Sequence, residues 1–70
     1  MATNYGTTMK ELRLERGLSL RKVEQATGIS NQNLSRWERN EVMPSVDACV
    51  LLAKFYGVSI EELIGVTTIR

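Results

Sequence analysis

Residues 20–40 read LRKVEQATGISNQNLSRWERN, and the three residues at their middle, Gly28-Ile29-Ser30, decide how the chain must fold. Before them, Leu20, Val23 and Thr27 recur at intervals of three and four behind Ser19, whose hydroxyl can accept from the free amides of a first helical turn. That spacing predicts a helix over residues 20–27. After them, Ser30 offers the same cap, Leu34 and Trp37 share a face, and Asn40 tolerates the positive φ that closes a helix. A helix over residues 31–39 follows. Three residues are too few to turn one helix back antiparallel to the other, so the two must cross steeply at a tight elbow. Gly28 supplies the left-handed conformation there, Ile29 can fill the angle between the helices, and Ser30 begins the second.

The punctuation on either side extends the pattern to five short helices. Thr8 followed by Glu11 reads as a capping box, and with Met9, Leu12 and the stop at Gly17 it predicts a first helix over residues 9–16. Pro44-Ser45 opens a fourth helix, in which Val46, Cys49, Val50, Ala53 and Tyr56 fall within one sector before Gly57. Ser59 and Glu62 form another capping box ahead of Leu63, Ile64 and Gly65. No alternating strand pattern of useful length interrupts the helices. The reading divides the chain into an N-terminal arm (1–7), a helical domain (8–65) and a C-terminal tail (66–70), with residues 1–6 and 66–70 frayed.

Seventy residues hold one core and leave no room for a deep catalytic cleft. The chain has no histidine and a single cysteine, Cys49, so disulfide frameworks, His/Cys zinc sites and imidazole bases are excluded, and no enzyme or cofactor is expected. Cys49 lies on an apolar helix face and reads as a small core residue, as does Trp37. The longest apolar run, residues 48–53, is far shorter than a membrane span, and the first residues carry neither the basic nor the apolar block of a secretory signal. A cytoplasmic, reduced protein without membrane contact is expected. Net charge is +1, but it is uneven: residues 1–40 carry +3 and residues 41–70 carry −2, a bias that places any negatively charged partner near the N-terminal half.

A helix–elbow–helix unit of this kind is a helix-turn-helix. Residues 20–40, together with Pro44-Ser45, Leu52-Ala53-Lys54, residues 57–63 and Leu12-Arg13, resemble the phage-repressor/Cro-like (XRE) helix-turn-helix family over about residues 8–64. The resemblance implies an all-α, five-helix, lambda-repressor-like domain that binds double-stranded operator DNA as a sequence-specific transcriptional regulator of repressor type. Such domains usually act as two-fold homodimers, with the third helix in the major groove. The outward residues of that helix are Asn31, Gln32, Asn33, Ser35, Arg36 and Arg39, free of carboxylates until Glu38. An exposed polar helix face is ordinarily just a solvated one. Here the concentration of amides and guanidinium groups directly after a tight elbow favours a groove, since amides match adenine N6/N7 and arginine matches guanine O6/N7. The N-terminal part of such a helix approaches the bases, which assigns Asn31, Gln32 and Arg36 to base edges, with Asn33 and Ser35 nearer the sugar-phosphate wall.

Phosphate anchors must flank that helix. The candidates are Arg21 and Lys22, Ser30 with the free amides at the helix starts, and Arg39 and Asn40; for Arg21 and Lys22 taken singly, plain surface charge fits equally well. The family commonly has a polar phosphate contact where this chain has Leu20, and alanine where it has Glu24. The Glu24 carboxylate must therefore swing outward or find Lys22, Arg21 or a partner on the third helix. The resemblance also implies a structural ion pair between Arg13 and Glu38. Leu51 and Phe55 lie one turn apart on the side of the fourth helix away from its apolar sector; with Val58 they suit a dimer contact, and equally a contact with the fifth helix or the N-terminal arm. Leu20, Glu24, Leu51 and Phe55 also suit an alternative, a protein-interaction module with an antitoxin-like or anti-repressor-binding role and a regulatory protein partner.

Overall fold

A computed structural model describes residues 4–66 and contains, among them, five helices and no strand: α1 Tyr5–Glu15, α2 Leu20–Thr27, α3 Asn31–Glu38, α4 Val46–Tyr56 and α5 Ile60–Ile64. Residues 1–3 of the expected arm and 67–70 of the expected tail lie outside the described residues. Serine hydroxyls start four of the helices. Ser19, Ser30, Ser45 and Ser59 accept from the amides of Lys22, Gln32, Ala48 and Glu62, and Ser59 N–H donates back to Glu62 Oε1 to complete the last capping box. That bond holds the Glu62 carboxyl below its ordinary pKa. At the elbow Gly28 sits at φ 79° with its N–H on Glu24 O at 2.7 Å, a backbone that a Cβ would strain.

α1 packs on α3 and α5, α4 packs on α5 and α2, and α2 leans on α3. The centre is five fully buried side chains, one from each helix: Met9, Val23, Leu34, Leu52 and Leu63. Because every helix contributes one, α3 is fixed to the rest by shared apolar burial as well as by polar contacts.

Two expectations need correcting. α1 begins at Tyr5, not Met9, so residues 5–8 are helical and the Thr8–Glu11 box does not form; Asn4 stands at the N-cap without a side-chain bond. Contacts distant in sequence move the start: Asn4 N–H donates to Ile64 O at 3.2 Å, Gly6 N–H donates to Asn40 Oδ1 at 3.1 Å, and Tyr5 packs on the core. Gly6 is buried, and a Cβ there would sit 2.7 Å from the Asn40 side chain. In α4 the expected sector holds at Cys49, Ala53 and Tyr56 but fails at Val46, which is 77% exposed, while Ala48 and Leu52 turn inward. All residues of α4 except Asp47 and Lys54 are apolar, so periodicity leaves its buried face undetermined.

Candidate nucleic-acid interface

α3 turns Leu34, Trp37 and Glu38 inward and leaves Gln32, Asn33 and Arg36 exposed, with Asn31 and Ser35 half-buried; Arg39, its C-cap, is exposed as well. An open depression runs along this face, lined by Leu20, Asn31, Gln32, Ser35, Arg36 and Arg39. Leu20 forms part of its wall while packing against the core, so apolar burial explains a leucine at this place. Arg21 and Lys22 are exposed on the first turn of α2, directly after Leu20 in sequence. Ser30 is occupied as the cap of α3. Arg39 lies 3.2 Å from Glu41, an exposed pair that competes little with a phosphate. Asn40, at φ 61°, spends its side-chain oxygen on Gly6 N–H, so only its amide N–H groups remain for a phosphate.

The orientation of α3 is set from behind. Arg13 on α1 donates through Nε to Glu38 Oε2 at 2.9 Å and through Nη2 to Glu38 Oε1 at 3.0 Å, while its Nη1 holds Leu18 O at 2.7 Å. Both residues are buried, and the hydrogen bonds that Arg13 donates to Glu38, working against burial, raise the Arg13 pKa above its ordinary value. A two-pronged pair fixes rotation as well as distance. It therefore sets which way the opposite side of α3 faces.

Tyr56 lies against this pair. Burial, and secondarily the Glu38 charge, push its pKa from 10.0 up to about 12. An upward shift means that the neutral phenol stabilises the fold fully below pH 10 and that this contribution is lost as pH rises through 12. Alkaline titration followed by circular dichroism and phenolate absorbance should show the helices melting between pH 10 and 12 as Tyr56 ionises. A folded chain in which Tyr56 ionises near pH 10 would contradict this placement. Arg16, which carried no signal in the linear sequence, caps the far end of α4: its Nη2 donates to Tyr56 O at 2.6 Å and its guanidinium lies 5.3 Å from the Tyr56 ring centre.

Glu24 finds its partner on α3, where Asn31 Nδ2 donates to Glu24 Oε1 at 2.7 Å across the elbow. On α4, Leu51 and Phe55 are 41% and 37% exposed, so neither α5 nor residues 4–8 bury them. Val58 departs from that trio, packing inward against the core.

A Helix-turn-helix family model matches residues 9–63, spanning α2, the elbow and α3. The chain belongs to the XRE-type helix-turn-helix family. Among its relatives, the HTH-type transcriptional regulator SutR of Escherichia coli is 46% identical over 46 residues, covering 66% of this chain and 26% of SutR. The cryptic phage CTXphi transcriptional repressor RstR of Vibrio cholerae is 32% identical over 61 residues, covering 87% of this chain and 55% of RstR. This helix-turn-helix chain thus spans between about a quarter and about half the length of these two relatives. The crystal structure of a transcriptional regulator from Listeria innocua superposes over 100% of the chain and 65% of its own length with a TM-score of 0.86; at 18% identity the likeness is one of fold. No helix among the described residues is long and apolar enough to cross a membrane.

Proposed function

We propose that this chain is the DNA-binding unit of a transcriptional regulator of repressor type, working in the cytoplasm without catalysis or cofactor, with α3 laid in the major groove of an operator. The observation that carries the reading is the face of α3 that is open to solvent along Gln32, Asn33 and Arg36, to which the helix itself contributes no carboxylate, and which the buried Arg13–Glu38 pair holds outward. The names of the relatives, a transcriptional regulator and a phage repressor, support it. Asn31, Gln32 and Arg36 read base edges. Arg21, Lys22, Asn33, Ser35 and Arg39 meet the sugar-phosphate wall, with the free amides at the starts of α2 and α3 and the remaining N–H groups of Asn40 beside them.

Arg36→Ala should weaken binding to the preferred duplex by about 1 to 3 kcal/mol and relax preference at one base pair, whereas Lys22→Ala should weaken all sequences alike and reduce the salt slope by about 0.9. Titrations of preferred and random duplexes at several salt concentrations check both. Equal losses on the two duplexes from Arg36→Ala would remove its base-reading role.

A homodimer places two α3 helices about 34 Å apart, one turn of DNA. Leu51 and Phe55 are its contact in this reading, since they form an apolar pair left exposed on α4. Leu51→Asp and Phe55→Asp should each shift sedimentation from dimer to monomer while the helices remain intact. An unchanged dimer would move the contact elsewhere. A chain that enriches no DNA sequence but captures a protein through Leu51 and Phe55 would instead support the interaction-module reading.

A further inference from the structure

We infer that Glu24 is a positioning residue that restricts Asn31 to reading adenine, through the 2.7 Å hydrogen bond it accepts from the Asn31 amide across the elbow. The inference rests on the DNA-binding reading above and assigns one base of the site. An ionised carboxylate only accepts, so the nitrogen end of the Asn31 amide must face Glu24, and the ambiguity between the two amide orientations disappears. One N–H is thereby consumed. What remains to Asn31 is Oδ1 and a single N–H, and the residue lines the same open depression as Gln32, Ser35 and Arg36.

The major-groove edge of adenine presents N7, an acceptor, beside the N6 amino group, a donor, and so calls for one donor and one acceptor from the protein. Guanine presents two acceptors, O6 and N7, and calls for two donors. An unrestrained asparagine can turn both of its N–H groups toward guanine. An asparagine with one N–H held by Glu24 cannot, and its oxygen would face O6. Glu24 has no competing obligation: no ion pair among the described residues includes it, and it is half-buried on the second turn of α2. A carboxylate beside a polyanion weakens binding to every sequence, so its presence here trades general affinity for choice of base.

The test selects bound duplexes from a random pool with the full chain and with Glu24→Ala, Glu24→Gln and Asn31→Ala, followed by titration of the preferred duplex and of one carrying G·C in place of the A·T pair assigned to Asn31. The wild type should favour adenine there by about 10-fold, within the range of a good bidentate contact. Asn31→Ala and Glu24→Ala should both bring that preference close to parity, with other positions unchanged. Glu24→Ala should also bind random DNA more tightly. Glu24→Gln, which keeps an acceptor oxygen at the same reach, should restore the adenine preference. A purely structural role would lower the melting temperature of Glu24→Ala without altering its base preference. That result overturns the inference alone, as does a Glu24→Gln variant as indiscriminate as Glu24→Ala, or an Asn31→Ala variant with an unchanged preference. A wild type that enriches no sequence overturns the DNA-binding reading, and the inference with it.

Discussion

Glu38→Ala should lower the unfolding free energy by about 3 to 5 kcal/mol, because it leaves the Arg13 guanidinium buried without its anion. A chain of 70 residues is expected to have a total stability on the order of 4 to 10 kcal/mol, so the variant loses a large part of it. Alanine is a better helix former than glutamate, so the loss cannot come from helix propensity. It comes from the two hydrogen bonds at 2.9 and 3.0 Å and from the burial that surrounds them. Urea unfolding measures it. Replacing both partners, as in Arg13→Met with Glu38→Leu, should recover much of the loss, since an apolar pair strands no charge. A loss below about 1 kcal/mol in Glu38→Ala would mean that the pair is solvated and does not orient α3.

The second large effect is expected at Leu34, the contribution of α3 to the group of five buried side chains. Leu34→Ala should cost about 2 to 5 kcal/mol, the sum of lost transfer energy and of a cavity left in the close-packed core where α3 meets α1 and α2. The side chain points away from the depression, so the folded fraction of the variant should keep its preferred DNA sequence. Thermal melting, together with duplex selection performed well below the melting point, separates the two effects. A folded Leu34→Ala with an altered base preference would show that the reading face depends on core packing more finely than the buried ion pair allows.

Where structure is decided within a few residues, the sequence was enough to read it. The bounds of α2, the elbow at Gly28 and the box at Ser59 and Glu62 follow from caps and stops that act within one helical turn. The start of α1 was hidden because Asn40 and Ile64, 34 and 60 residues away, satisfy amides that a local cap would otherwise serve. The buried side of α4 was hidden for the opposite reason: nearly every residue is apolar, so many faces look alike. At the candidate site, the exposed face of α3 was legible from Leu34 and Trp37 alone, since those two side chains fix which side turns inward. The partner of Glu24 was only partly legible. The carboxylate had to find a cation or a partner on α3, but the choice of Asn31 depends on the crossing angle that the elbow imposes. Arg16 on the end of α4 could not have been found from spacing, because Tyr56 lies 40 residues away.

If α3 enters a major groove, Arg36 stands at a base edge. Methylation protection at guanine N7, which lies in the major groove, tests this most directly on the duplex selected by the full chain. Protection of one guanine N7 in each half-site, lost in Arg36→Ala and kept in Lys22→Ala, is the expected result. Protection that is unchanged in Arg36→Ala, or that falls only on minor-groove positions, would contradict it.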